Sequence, residues 1–498
     1  MGAERAVSAF VLALGVAACA SRPLHYGRSG GGSGADAVPT PDARDGNGGA
    51  GGYDAGAGDR DAGGDGAGAP NVACARSFHA TVVQEPSGVA VDEHGHILVT
   101  GVFGGSFPFD GTVLDSAAGP LFIAELDSSC AVVWARALGS STMQLFSVAA
   151  IAARPGGGAV LVGQGLGPID LGTGVLSGGT FSGGWVLAID DAGRSLWARS
   201  FASAGASLYL EGVAVSPTDG SIVATGSLAG TIDLGTGPLT QTSGEPQVLL
   251  LEFRQGGDLV WSEVFQDLPS SDGRNAAVAP DGAIAVGGYQ NGTFAEDLAN
   301  MELLVAGFDA GGARQWSTGG SQDGRRAGPG REARGVGFAA DGTVIVTGTG
   351  PPPGVTDPID PYNGGFFVTA LARADGTPLW TRATRTSGVA PIALAVSGDT
   401  AALLGYGFAA DFDFQSFTSA DGGTHLWGFV VGFGRDGSTT FVQPIESTKP
   451  IPLPAGIAGD GRGGFAVAGY FSGTLTIGGS TLSNDSDRND LYVARLSP

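Results

Sequence analysis

Five histidines are the first residues to test for chemistry: His25, His79, His94, His96 and His425. An imidazole works as a base or a metal ligand only when carboxylates, thiols or further histidines share its site. His94 and His96 flank one turn without other obvious ligands. His25 lies in a glycine-rich stretch, and His79 and His425 have no partner visible in the chain. No nucleophile elbow or phosphate-cradling loop leads into a helix, since no helical periodicity is present. The expectation is therefore no catalytic residue, no metal, no cofactor and no enzymatic activity.

Three recurrent residue types remain. Aspartates recur in hairpins, as Asp170 and Asp233 in Ile-Asp-Leu-Gly and as Asp110 and Asp413 in related stretches. On one rim they could hold calcium, but an aspartate bonding its own turn amides is the favoured reading. Tryptophans at a fixed period could stack sugars; their regularity instead favours packing between repeats. Arg325, Arg326, Arg331 and Arg334 form a basic cluster on a chain of net charge −23. They are candidates for an anionic-ligand site, against the plainer reading of a solvated loop.

The elements that must position these residues come from a repeat. Trp134, Trp197, Trp261, Trp316, Trp380 and Phe441 follow one another at 63, 64, 55, 64 and 61 residues. Ahead of each lies the same order of signals. A small apolar strand (Gly212-Val-Ala-Val215) is followed by an Asp-Gly turn and a strand ending near Thr-Gly (Val344-Ile-Val-Thr-Gly348). A hairpin and an apolar strand (Leu121-Phe-Ile-Ala-Glu-Leu126) come next, then a second Asp/Gly turn and the aromatic-bearing strand (Leu196-Trp-Ala-Arg-Ser-Phe201). Four strands per unit, joined by turns whose glycines supply positive φ, make an antiparallel propeller blade. With 90 glycines and only 15% charged residues, the chain reads as all-β.

This order of motifs resembles the seven-bladed β-propeller repeat family frequent among exported bacterial lipoproteins, over residues 71–498. The resemblance implies architecture and carries no shared catalytic motif. The seventh unit, from Gly456, ends at Leu491-Tyr-Val-Ala-Arg-Leu496 without a fourth strand. Cys74-Ala75-Arg76-Ser77-Phe78 matches Trp197-Ala-Arg-Ser-Phe201 except at the aromatic, one period before Trp134. The amino-terminal strand is therefore expected to complete the last blade and close the ring. Cys74 and Cys130 are expected as free thiols, because outer strands of neighbouring blades diverge beyond the roughly 7 Å Cα limit for a disulfide. On that reading a bridge would require the closing strand to dock differently.

The apolar run Ala6 to Val16 is too short to span a bilayer and reads as an export signal. It ends in Val16-Ala17-Ala18-Cys19, which resembles the bacterial lipobox. The resemblance implies that residues 1–18 are removed and that Cys19 carries the lipid. Residues 19–70, rich in Gly, Asp and Ala, cannot bury enough surface to fold and read as a flexible linker. The acidic balance disfavours nucleic acid. Together these readings predict a monomeric, lipid-anchored protein of the cell envelope, with the outer membrane favoured. Its propeller is expected to act as a binding module for a protein or glycan. A propeller enzyme (hydrolase, lyase or quinone-dependent) and an outer-membrane assembly lipoprotein are the alternatives.

Overall fold

A computed structural model describes residues 69–79, 84–139, 146–176, 183–203, 205–268, 270–290, 301–319, 332–350, 366–383, 389–407, 409–412, 415–418, 427–449, 453–484 and 488–497. Among them every regular element is a strand. Seven antiparallel sheets, each with a four-strand core, follow one another along the chain. Blade 1 runs from inner to outer strand as Gln84–Val91, Ile97–Phe103, Leu121–Leu126 and Val132–Leu138. The inner strands of the other blades are Phe146–Ala153, Ala206–Val215, Ser271–Val278, Ala333–Phe338, Val389–Ser397 and Leu453–Gly459. Each inner strand packs against the next, and the seventh returns to the first. The chain is a closed seven-bladed propeller.

Middle strands show why continuous apolar runs were needed. Leu121–Leu126, Phe366–Leu371 and Trp427–Phe433 are buried at every residue, because both faces of the sheet meet a neighbouring blade. Outer strands are mostly half-buried instead, as in Ser195–Phe201, where Phe201 alone is fully buried. The Thr-Gly signal also has a cause. Every inner strand carries a one-residue bulge against its second strand. Beside each bulge the partner is glycine: Gly101, Gly163, Gly226, Gly288, Gly348, Gly405 and Gly469. A Cβ at Gly226 would lie 1.9 Å from the Tyr209 carbonyl oxygen, so no side chain fits there.

Neighbouring blades are locked by one recurring contact. Trp134 of blade 1 lies on Gly193 in the last turn of blade 2, where φ is +70° and an added Cβ would meet the indole at 2.5 Å. Trp197, Trp261, Trp316 and Trp380 meet Gly257, Gly312, Gly376 and Gly437 in the same way. Trp134 Nε1 donates to the Asp191 carbonyl at 2.8 Å, and Trp197 Nε1 to that of Gln255 at 3.0 Å. The arginine two residues on reaches the same turn, as Arg136 to Ala192 O at 3.1 Å and Arg382 to Gly437 O at 2.9 Å.

The strand Asn71–Phe78 completes blade 7, pairing antiparallel with Asp490–Ser497 from Asn71↔Ser497 to Phe78↔Leu491. Arg76 donates to the Cys130 carbonyl at 3.5 Å, as Arg136 and Arg382 do at their interfaces, and pairs with Asp110 at 2.7 Å. Phe78 is buried in the core between blades 7 and 1. The expectation of free thiols is corrected. Cys74 and Cys130 form a disulfide with a Cα–Cα distance of 5.9 Å, and the closing strand nevertheless docks in the expected register. The error lay in comparing outer strand with outer strand. An outer strand touches the next blade's last turn, and Cys130 sits in that turn of blade 1 at φ +63°, where the other blades have glycine. The Trp–Gly contact is thus replaced by Cys–Cys at the seam.

The other side of blade 7 is fastened differently. Its hairpin, Gly473–Ile477 and Ser480–Asn484, extends the sheet of blade 6 through Ile445↔Ile477, Glu446↔Thr476 and Ser447↔Leu475. Blade 7 has no turn between its third and outer strands to receive Phe441, because those strands, Asp490–Ser497 and Asn71–Phe78, are not consecutive in the chain. The hairpin covers that edge instead.

Candidate functional site

The bulges that require glycine opposite them also select the residues that face away from the ladder. The bulged residues are Ser87, Ala149, Glu211, Arg274, Arg334, Ile392 and Ala455 in blades 1 to 7. Four are small or apolar. In blades 3, 4 and 5, which are consecutive, the position is charged. A bulge re-aims a side chain, and here three of them converge near the propeller axis.

Arg274 is the centre. Its Nη1 lies 4.0 Å from Glu211 Oε2, and its Nε lies 3.7 Å from Glu332 Oε2 and 4.0 Å from Asp272 Oδ2. Its guanidinium stands 5.3 Å from the Tyr289 ring centroid. Glu332 Oε1 pairs with Arg334, and Gln164 of blade 2 donates to Glu211 Oε1 at 3.1 Å. Four blades therefore contribute to one network of three carboxyls and two guanidiniums. Its side chains are mostly enclosed, Glu211 being 12% and Arg274 15% exposed.

Burial drives the electrostatics. It pushes the Glu211 carboxyl up to about 7, although Arg274 opposes the shift. Asp272 is also raised, chiefly by burial. Burial alone would weaken the charge on Arg274, but Glu211, Glu332 and Asp272 outweigh it and hold the guanidinium above its ordinary value. With every carboxyl ionised the network carries one net negative charge; a proton on Glu211 cancels it. Its formal charge thus changes near neutral pH.

Of the four candidate arginines, Arg325, Arg326 and Arg331 lie outside the described residues. Arg334 belongs to the inner strand of blade 5, 25% exposed, with its charge compensated by Glu332 rather than standing in a solvated loop. Cys19 also lies outside the described residues, as do His25, His425 and Asp413. The remaining histidines have partners: His79 Nδ1 meets Asp490 Oδ1 at 2.7 Å, and His96 Nδ1 meets Glu125 Oε1 at 2.7 Å. Asp92 accepts from the backbone amides of His94 and His96 at 2.9 and 2.7 Å. Asp170 and Asp233 accept from Gly172 and Gly235 at 2.9 and 2.8 Å, a turn-capping role. Among the described residues no group of three or more His, Cys, Asp or Glu side chains is arranged to hold a metal ion.

A cavity of about 190 Å³ lies between blades 4 and 5, lined by Ile284, Phe308, Asp309, Trp316, Phe338 and Arg373. It is at the opposite end of these blades from Arg274, where the inner strand of blade 4 gives way to its second strand. Its walls are largely the apolar interface that Trp316 fills.

No family model and no curated protein sequence matches the chain. It is similar in structure to a catalytically inactive virginiamycin B lyase from Staphylococcus aureus with quinupristin, at 11% identity and TM-score 0.43, covering 85% of this chain and 99% of that one. The Pan2 WD40 domain of Neurospora crassa is similar at 9% identity and TM-score 0.42, covering 85% and 94%. BamB from Moraxella catarrhalis is similar at 13% identity and TM-score 0.35, covering 83% of each chain.

Proposed function

We propose that this propeller is a binding module of the bacterial cell envelope, lipid-anchored through Cys19, that recognises a protein or glycan partner at the axial surface around Glu211, Arg274 and Arg334. The observation that carries the reading is the charged bulge in three consecutive blades, against Ser87, Ala149, Ile392 and Ala455 elsewhere. A buried ion network contributes no more to stability than well-packed apolar side chains of the same volume. Ring stability alone therefore does not account for its presence. Bulges are also where sheets turn side chains toward ligands.

Anchoring is supported by the Val16-Ala17-Ala18-Cys19 boundary and the glycine-rich stretch that follows. A disulfide between Cys74 and Cys130 suits an oxidising compartment. The lineage of exported seven-bladed repeat lipoproteins is the corresponding family reading.

The test is co-isolation of partners with the intact chain from solubilised membranes. Glu211→Lys, which reverses one charge of the network, should lose a partner that wild type retains, with the fold verified by circular dichroism. Retention of every partner by the folded variant would remove the axial site.

A further inference from the structure

In blades 1 to 6 the outer strand is covalently continuous with the third strand through a turn, so it cannot be peeled from that end. Blade 7 is different. Its outer strand, Asn71–Phe78, begins where the amino-terminal segment enters, and Asn71 pairs with Ser497 at the very end of the ladder. Tension arriving along residues 1–70 reaches the Asn71↔Ser497 pair before any other pair of the ladder.

We propose that the Cys74–Cys130 disulfide is a mechanical stop, passing tension from the amino-terminal segment into blade 1 before the closing strand unzips from blade 7. Only Asn71, Val72 and Ala73 precede the bridge within the strand, so peeling halts after the first pairs, Asn71↔Ser497 and Val72↔Leu496. Beyond them the load crosses to Cys130, a fully buried residue in the hairpin that joins the third and outer strands of blade 1. Packing there is dense: Phe78, Phe107 and Phe109 share the same apolar cluster as Cys130. The bridge ties the closing strand of blade 7 to blade 1, where the other six blades hold their outer strands by a turn within the blade. A Trp–Gly contact would pack equally well but would bear no load once the first pairs opened. That the load comes from a membrane rests on the anchoring reading; the stop itself does not.

The test is single-molecule pulling on the full-length chain carrying Cys19→Ser. One handle peptide is inserted between Gly68 and Ala69, and a second is attached through an azide-bearing residue at Val175, an exposed hairpin position of blade 2. The oxidised chain should show no early extension step. After dithiothreitol, which gives two electrons and two protons to the Cys74–Cys130 bridge, leaves two thiols and becomes a cyclic disulfide itself, a low-force step should appear. Its size should be at most about 45 Å, the extended length of residues 71–83 less the distance they already span. Cys74→Ser should show the same step without reductant; if that variant does not fold, reduction of the folded chain in the instrument suffices. The same low-force step in the oxidised chain, or its absence after reduction, overturns the proposal. Loss of fatty-acid labelling in Cys19→Ser is scored separately, so failure of anchoring and failure of the stop are distinguishable.

Discussion

Replacing the seam disulfide by the contact used at the other interfaces gives a quantitative test of blade equivalence. Cys74→Ser with Cys130→Ser removes a bridge across a sequence separation of 56 residues. Freeing a loop of that length stabilises the unfolded chain by about 4 kcal/mol at 25 °C. Cys74→Trp with Cys130→Gly should recover most of that loss. Indole burial comparable to Trp134 on Gly193 contributes roughly 2–3 kcal/mol. Glycine also relieves Cys130 of its left-handed conformation, φ +63°, for about a further 1 kcal/mol. The assay is urea unfolding of wild type and both variants, with and without reductant. Wild type should fall toward the Ser/Ser variant on reduction. The Trp/Gly variant should lie within about 1 kcal/mol of oxidised wild type by these magnitudes and should not respond to reductant. A Trp/Gly variant as unstable as Ser/Ser would refute the equivalence of Cys74 with the tryptophans and of Cys130 with the turn glycines.

Other consequences are simpler. Cys19→Ala should abolish fatty-acid labelling and release the protein from membranes; persistent labelling would contradict the anchor. Gly226→Ala should destabilise the ring by at least about 2 kcal/mol through steric clash, since its Cβ would meet the Tyr209 carbonyl oxygen at 1.9 Å; an unchanged unfolding midpoint would contradict the bulge geometry. Glu211, raised to about 7, binds its proton more tightly folded than unfolded. Its contribution is therefore complete below its ordinary value near 4.5 and is lost as pH rises through 7, a decline of about 3 kcal/mol. Glu211→Gln should flatten the stability profile between those values, and an unchanged profile would remove Glu211 as its source. Serine at Arg325, Arg326 and Arg331 should leave the fold intact and weaken an acidic ligand in a salt-sensitive manner; identical retention of envelope partners would exclude that role.

The architecture was legible because each signal has one structural cause. The tryptophan period marks the blade, Thr-Gly marks the glycine beside the bulge, and Cys74-Ala75-Arg76-Ser77-Phe78 marks the missing strand. The disulfide was legible in principle. Aligning Asp127-Ser-Ser-Cys130 with Asp190-Asp-Ala-Gly193 puts a cysteine in the glycine position of the turn that meets Cys74. It was missed because contact was sought between strands rather than between a strand and a turn. The charged network was harder to read. Glu211, Arg274 and Glu332 lie about sixty residues apart, and nothing in their local sequence brings them together until the bulge register is known. The available signal was the residue before the small strand. It is charged in Glu211-Gly-Val-Ala-Val215, Arg274-Asn-Ala-Ala-Val278 and Arg334-Gly-Val-Gly-Phe338, but serine in Ser87-Gly-Val-Ala-Val91. The hairpin that joins blade 7 to blade 6 left no such mark, since among the described residues the hairpins of other blades, of similar sequence, pair with no strand of a neighbouring blade.

The central claim is that partners engage the axial surface of blades 3 to 5. Photo-crosslinking in intact cells tests it most directly. A benzophenone residue is placed at Tyr209, exposed on the inner strand of blade 3, and in a second chain at Leu379, exposed on the outer strand of blade 5. A discrete crosslinked partner at Tyr209, absent at Leu379 and lost when Glu211→Lys is added, is the predicted result. Crosslinks at Leu379 alone, or at Tyr209 but indifferent to Glu211, would contradict the account.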